Sequence, residues 1–112
     1  MRIFLYGIII ISLFMVGAGM VRARIRINEI AWMGTAISSN DEWIELYNSG
    51  SSDVTLDGWS IVATDGSPDV ALSGTIESQQ YFLLERSNDD SVPDVAADLI
   101  YTGSLGNTGE DL

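Results

Sequence analysis

The sequence of 112 residues contains no cysteine, no histidine and no lysine, so its five basic residues are all arginines. No disulfide, thiolate nucleophile, imidazole base or Schiff-base lysine can form. That excludes Ser-His and Cys-His hydrolases, zinc sites built on Cys or His, and phosphate-binding loops that rely on a lysine. Positive charge is scarce and unevenly placed. Arg2, Arg22, Arg24 and Arg26 precede Ile27, Arg86 stands alone after it, and all 16 carboxylates fall from Glu29 onward. From Ile27 to Leu112, one arginine against 16 acids leaves a net charge of -15, compared with -11 for the whole chain. A surface of that sign repels phosphate backbones, so no nucleic-acid partner is expected. The length suits one domain at most.

What the chain does have is a long apolar start. Ile3 to Val21 is an uncharged run of 19 residues that comes after Met1 and Arg2. As a helix it would be about 28 Å long, close to the thickness of a bilayer's hydrocarbon core. Residues 1–23 are therefore expected to be a helical signal peptide or membrane anchor. Cleavage would come after Val16-Gly17-Ala18 or Val21-Arg22-Ala23, each ending in a small residue. The anchor alternative tolerates Gly17 and Gly19 and cuts nothing. A buried core helix would be the lone helix of a strand-like chain and is the weakest reading. Arg22, Arg24 and Arg26 outnumber the charges before the run, which opposes export and would retard cleavage. The N-terminal position of the run and the acidity of residues 27–112 favour an extracytoplasmic domain, secreted or tethered.

The remaining residues, 24–112, read as short strands between turn signals. Ile25 to Ala31 carries Ile25, Ile27 and Ile30. Glu42 to Asn48 alternates, with Ile44 and Leu46 on one face and Trp43, Glu45 and Tyr47 on the other. Val54 to Leu56, Trp59 to Ala63, Val70 to Leu72, Tyr81 to Glu85 and Leu99 to Tyr101 complete the set. The separators are rich in Asn, Asp, Gly and Ser, as in Asp65-Gly66-Ser67-Pro68 and Asn88-Asp89-Asp90. Without long helical periodicity between them, such strands predict an all-β antiparallel sandwich. Trp32, Trp43, Trp59, Tyr47, Tyr81, Phe82 and Tyr101 are the large side chains available to fill its core.

The stretch Ile27-Asn28-Glu29-Ile30-Ala31-Trp32-Met33-Gly34-Thr35, continued by Asn40-Asp41-Glu42-Trp43-Ile44-Glu45-Leu46-Tyr47-Asn48, resembles the opening of a lamin tail domain of the bacterial type. Val54-Thr55-Leu56-Asp57-Gly58-Trp59-Ser60-Ile61 is similar to the family's "leucine, any, Gly-Trp" strand. Tyr81 to Arg86 resembles its mid-domain strand, and Leu105 to Leu112 its "asparagine, any, Gly" turn. The resemblance implies an immunoglobulin-like sandwich without catalytic apparatus, a binding module of exported or membrane-associated proteins. It also implies further strands after Asn107-Thr108-Gly109, so a sandwich with its last strands missing, an open edge and self-association through it are expected. Glu77-Ser78-Gln79-Gln80 replaces the family's usual Pro- and Gly-rich turn.

Two carboxylate groups could carry chemistry. Glu29 and Glu45 are the one acidic pair with compatible facing, since Glu42 and Glu45 point to opposite sides of a strand. Accepting hydrogen bonds from loop amides, to pin the Met33 to Asn40 connection, is their expected role, ahead of catalysis. Asn88, Asp89, Asp90 and Asp94, with Asp98 nearby, suit calcium by ligand type but lack EF-hand spacing, so a solvated loop is expected there. Arg86 is expected in a weak surface pair. The function expected is a non-enzymatic, cofactor-free module that binds protein or cell-surface polymer, with Trp43, Tyr47, Glu29 and Glu45 as its candidate surface. The alternative is an accessory part of a larger exported hydrolase or nuclease.

Overall fold

The computed structural model describes residues 4–6, 24–106 and 112, and every regular element among them is a β-strand. In chain order these are β1 (Phe4–Tyr6), β2 (Ile25–Ala31), β3 (Trp43–Asn48), β4 (Val54–Thr55), β5 (Ser60–Val62), β6 (Asp69–Ala71), β7 (Thr75–Ile76), β8 (Tyr81–Arg86) and β9 (Leu99–Tyr101). One layer is a four-stranded sheet in the order β2-β3-β8-β9. The other is built from β1-β5-β6 and β4-β7.

The second layer is in effect one long bent hairpin. Val54 pairs with Ile76 and Thr55 with Thr75, and after an interruption Ser60 pairs with Ala71, one residue out of the first register. Across the gap the Leu56 amide donates to the Gly74 carbonyl at 2.8 Å and the Leu72 amide to the Trp59 carbonyl at 2.8 Å. The extra residue is absorbed at Asp57-Gly58, where Gly58 has φ of 85°, a conformation that costs a glycine little. Asp57 fixes the bend by accepting the Gly74 amide at 3.1 Å.

A second irregularity sets which side chains β2 buries. Ile27 lies opposite Leu46, but Glu29 lies opposite Glu45, so Asn28 is an extra residue in a bulge. Side chains on a strand alternate, and inserting one residue reverses the alternation. Ile25, Ile27 and then Ile30 all pack against the core for this reason. From β3, Ile44 and Leu46 are fully buried, facing Val54, Leu56, Ile61, Val70, Leu72 and Ile76 of the opposite layer.

Asn48, also fully buried, ties the layers together. Its side-chain amide donates to the Ser52 carbonyl at 2.8 Å and to Ile76 of β7 at 3.0 Å, while its oxygen accepts the Gly50 amide at 2.9 Å. Next to it, Gln79 turns the chain at φ of 62° and bonds through its side chain to the Ser49 and Gly50 carbonyls, each at 3.0 Å. Glu77 to Gln80 thus makes a tight turn without the family's usual Pro and Gly, closed by the Gln80 amide on the Glu77 carbonyl at 3.1 Å.

Three expectations need correction. Phe4–Tyr6 is not the start of a helix: it forms a strand antiparallel to β5, with Leu5 opposite Ile61. An aromatic-aliphatic-aromatic triplet suits a strand, and the edge of β5 away from β6 offers free backbone groups to it. The rest of the expected helical segment, residues 1–3 and 7–23, lies outside the described residues, as do residues 107–111 with the Asn107-Thr108-Gly109 turn. The sheets are not wholly antiparallel either, since β9 runs parallel to β8. Residues 87–98 are long enough for the crossover that a parallel pair requires. Finally, the core is mainly aliphatic. Phe82 and Tyr101 are buried and Trp32 and Trp59 pack against its border, whereas Trp43, Tyr47 and Tyr81 stand on the outer face of the four-stranded sheet.

Replacing Asn48 with Leu keeps its bulk but leaves the Ser52 and Ile76 carbonyls and the Gly50 amide unmet. The variant is expected to lose roughly 3 kcal/mol of stability, measured as a lower urea midpoint at unchanged slope.

Candidate functional site

Outward alternation on β3 displays Trp43, Glu45 and Tyr47 together, all half-buried. Cross-strand neighbours share a face. Opposite Tyr47 stand Arg26 on β2 and Tyr81 on β8, opposite Glu45 stand Glu29 and Leu83, and opposite Trp43 stand Ala31 and Glu85. The structure therefore brings together all four residues singled out from the sequence, Trp43, Tyr47, Glu29 and Glu45, and adds Arg26 and Tyr81 to them.

The rings of Tyr47 and Tyr81 lie 4.7 Å apart, tilted by 34°, and the Arg26 guanidinium carbon sits 5.2 Å from the centre of the Tyr47 ring. This is a cation-π arrangement on an aromatic pair. The Tyr47 hydroxyl is anchored by donation to the Gln79 side-chain oxygen at 2.9 Å. Tyr81 keeps 56% of its surface exposed, far more than a core tyrosine would. On the β2 side, Asn28 donates to Glu45 at 2.6 Å, so the bulge residue steadies the carboxylate. Glu29 and Glu45 lie on an open sheet face, and they do not hold the Met33 to Asn40 connection. There the Ser38 carbonyl accepts the Thr35 and Asp41 amides at 2.9 and 3.2 Å, and the Thr35 hydroxyl donates to Asp41.

The loop-pinning acids are Glu85 and Glu42, both buried. Glu85 accepts the Ser91 and Val92 amides at 3.0 and 3.1 Å, and Asp98 accepts the Leu83 amide at 2.8 Å. These bonds lay the 87–98 crossover over the β8 side of the face and bury Leu83 and Glu85 beneath it. Glu42 accepts the Leu105 amide at 3.0 Å and pairs with Arg86 at 3.2 Å. Arg86 is thus not a surface partner: its side chain is 20% exposed and that of Glu42 only 3%. The signal for these roles is present in the sequence. Glu42 shares the alternation of Ile44 and Leu46, and Glu85 directly follows the apolar run Phe82-Leu83-Leu84.

The acidic loop gives no calcium-like cluster. Asp89 accepts the Ala97 amide at 2.7 Å and Asn88 accepts that of Asp90 at 3.2 Å. Among the described residues, no three acidic side chains converge to hold a metal ion. Aspartates and asparagines in turns commonly satisfy nearby amides in this way, which is why their density alone does not make a site.

Two layers of short strands around an aliphatic core, with carboxylates employed as loop clamps, define a small β-sandwich. The chain belongs to the Lamin Tail Domain family, whose pattern it matches over residues 19–111. This is a family of immunoglobulin-like binding modules and not a known enzyme family. A comparison with curated proteins finds none that matches.

Next to the Glu42 and Arg86 pair, the Tyr101 hydroxyl is buried and has no hydrogen-bond partner among the described residues. Burial first, and the Glu42 carboxylate second, push its phenol well above the ordinary tyrosine value, with Arg86 acting in the opposite sense. Below the ordinary value near 10, both folded and unfolded chains keep the proton. Above it the unfolded chain ionises while the folded one resists, so stability falls as pH rises past about 10. Tyr101→Phe is expected to flatten that alkaline decline while changing stability at pH 7 by less than about 0.5 kcal/mol, since no hydrogen bond is lost. Glu42→Gln strands the half-shielded Arg86 and is expected to cost about 2 kcal/mol. Denaturation curves at pH 7 and above pH 10 check both.

Proposed function

We propose that the protein is a non-enzymatic, extracytoplasmic module that binds a protein or cell-surface polymer through the outer face of its four-stranded sheet. The observation that carries this is the outward column of Trp43, Glu45 and Tyr47, with Tyr81 stacked beside Tyr47. Such rings stabilise the sheet by packing on their cross-strand neighbours, and the part of them left in water is apolar area that a partner can bury. Tyr and Trp are also the residues that most often dominate binding energy. The face is further steadied by Asn28 and Gln79, so little ordering remains to be done on binding.

The address rests on the sequence. The uncharged run from Ile3 to Val21 supports either secretion after cleavage or tethering through an uncleaved segment. Among the described residues no helix is long and apolar enough to cross a membrane.

The test is retention on the detergent-insoluble fraction of a cell envelope, where the apolar N-terminal segment contributes nothing. The full chain is expected to be retained. The double variant Trp43→Ala/Tyr47→Ala, which alters only outward side chains, is expected to lose about 2–4 kcal/mol of binding and to elute. Equal retention of the two would contradict the proposal.

A further inference from the structure

We infer that the partner presented to this face is a basic segment of a protein, a reading that rests on the binding role proposed above and names the partner's chemistry. Glu29 and Glu45 stand directly opposite each other on adjacent strands. Like charges so placed repel, and a cation seated between them removes the repulsion. Glu45 has partial relief from Asn28, while Glu29 is exposed and accepts no hydrogen bond among the described residues.

The chain itself demonstrates the chemistry. Arg26 lays its guanidinium over Tyr47, at 5.2 Å from the ring centre, one residue row away from the two carboxylates. A lysine or arginine from a partner would meet the same combination of ring face and carboxylate at Trp43, Glu45 and Glu29. Charge at long range favours the same partner. With 16 carboxylates against Arg24, Arg26 and Arg86 in residues 24–112, the domain attracts positive segments and repels negative ones.

A fluorescence titration of the full chain with a deca-arginine peptide at physiological salt tests this, because Trp43 lies on the face. Glu29→Gln/Glu45→Gln removes two charges from the face, and its glutamine at 45 still accepts from Asn28. Asp69→Asn/Glu77→Gln removes two exposed charges elsewhere, neither of which holds a side-chain hydrogen bond among the described residues. The face variant is expected to bind about tenfold more weakly and the control variant to change by less than about twofold. Equal weakening in both would show diffuse attraction to net charge and overturn the assignment, as would no weakening in either. If a neutral polysaccharide such as dextran binds the wild type and Trp43→Ala/Tyr47→Ala abolishes that binding, the basic-segment assignment fails while the binding role of the face survives. If Trp43→Ala/Tyr47→Ala leaves envelope retention intact, the binding role itself fails.

Discussion

The alternation of side chains along β3 is the constraint on which both the core and the face depend. Ile44, Leu46 and Asn48 point one way and Trp43, Glu45 and Tyr47 the other, because a pleated strand has no third direction to offer. The inward set closes the sandwich and the outward set makes the surface. A slip of one residue would exchange them, placing two aromatics and a carboxylate in the core and two aliphatics in water. Register is held on one side by β8 and on the other by β2, where the Asn28 bulge lets a sequence with apolar residues at 25, 27 and 30 bury all three. The same bulge delivers the amide that steadies Glu45. One inserted residue therefore serves packing and the face together.

Acidity, on its face a property of the surface, divides into two uses. Glu42 and Glu85 are buried and employed on backbone amides, with Arg86 as the counter-charge of Glu42. Breaking such a clamp leaves orphaned amides or a stranded guanidinium, so these residues are structural in the strict sense that their partners are already counted. Glu29 and Glu45 remain outward. The crossover held down by Glu85 covers one half of the sheet face, so the open half is bounded by β2, β3 and the start of β8.

Much of this is legible in the residues. The strand Ile25 to Ala31 has the expected bounds with its alternation reversed at the Asn28 bulge, Trp43 to Asn48 lies within the expected Glu42 to Asn48 and has the facing that period-two patterning predicts, and Leu99 to Tyr101 is a strand as expected. The family is legible from the Glu42 to Asn48 motif together with the Gly-Trp strand. Other features depend on contacts that no local pattern encodes. Thr75–Ile76 is only two residues long and exists because it continues the hairpin of β4 past a bend. The parallel placement of β9 is a matter of where a crossover lands. Phe4–Tyr6 belongs to an apolar run whose composition suits a helix, while the edge of β5 offers it a ladder instead. Size alone sends aromatics to the core, yet position on the strand decides the side, and Tyr81 is outward for that reason.

Because the chain has no cysteine, its facing can be read one residue at a time. Single cysteines introduced at positions 43 to 48 and exposed to a maleimide under native conditions test the β3 alternation directly. Rapid labelling at 43, 45 and 47, with 44, 46 and 48 unreactive until denaturant is added, is the result this structure predicts. Uniform labelling along the strand, or protection at 43, 45 and 47 with reactivity at the even positions, would contradict it.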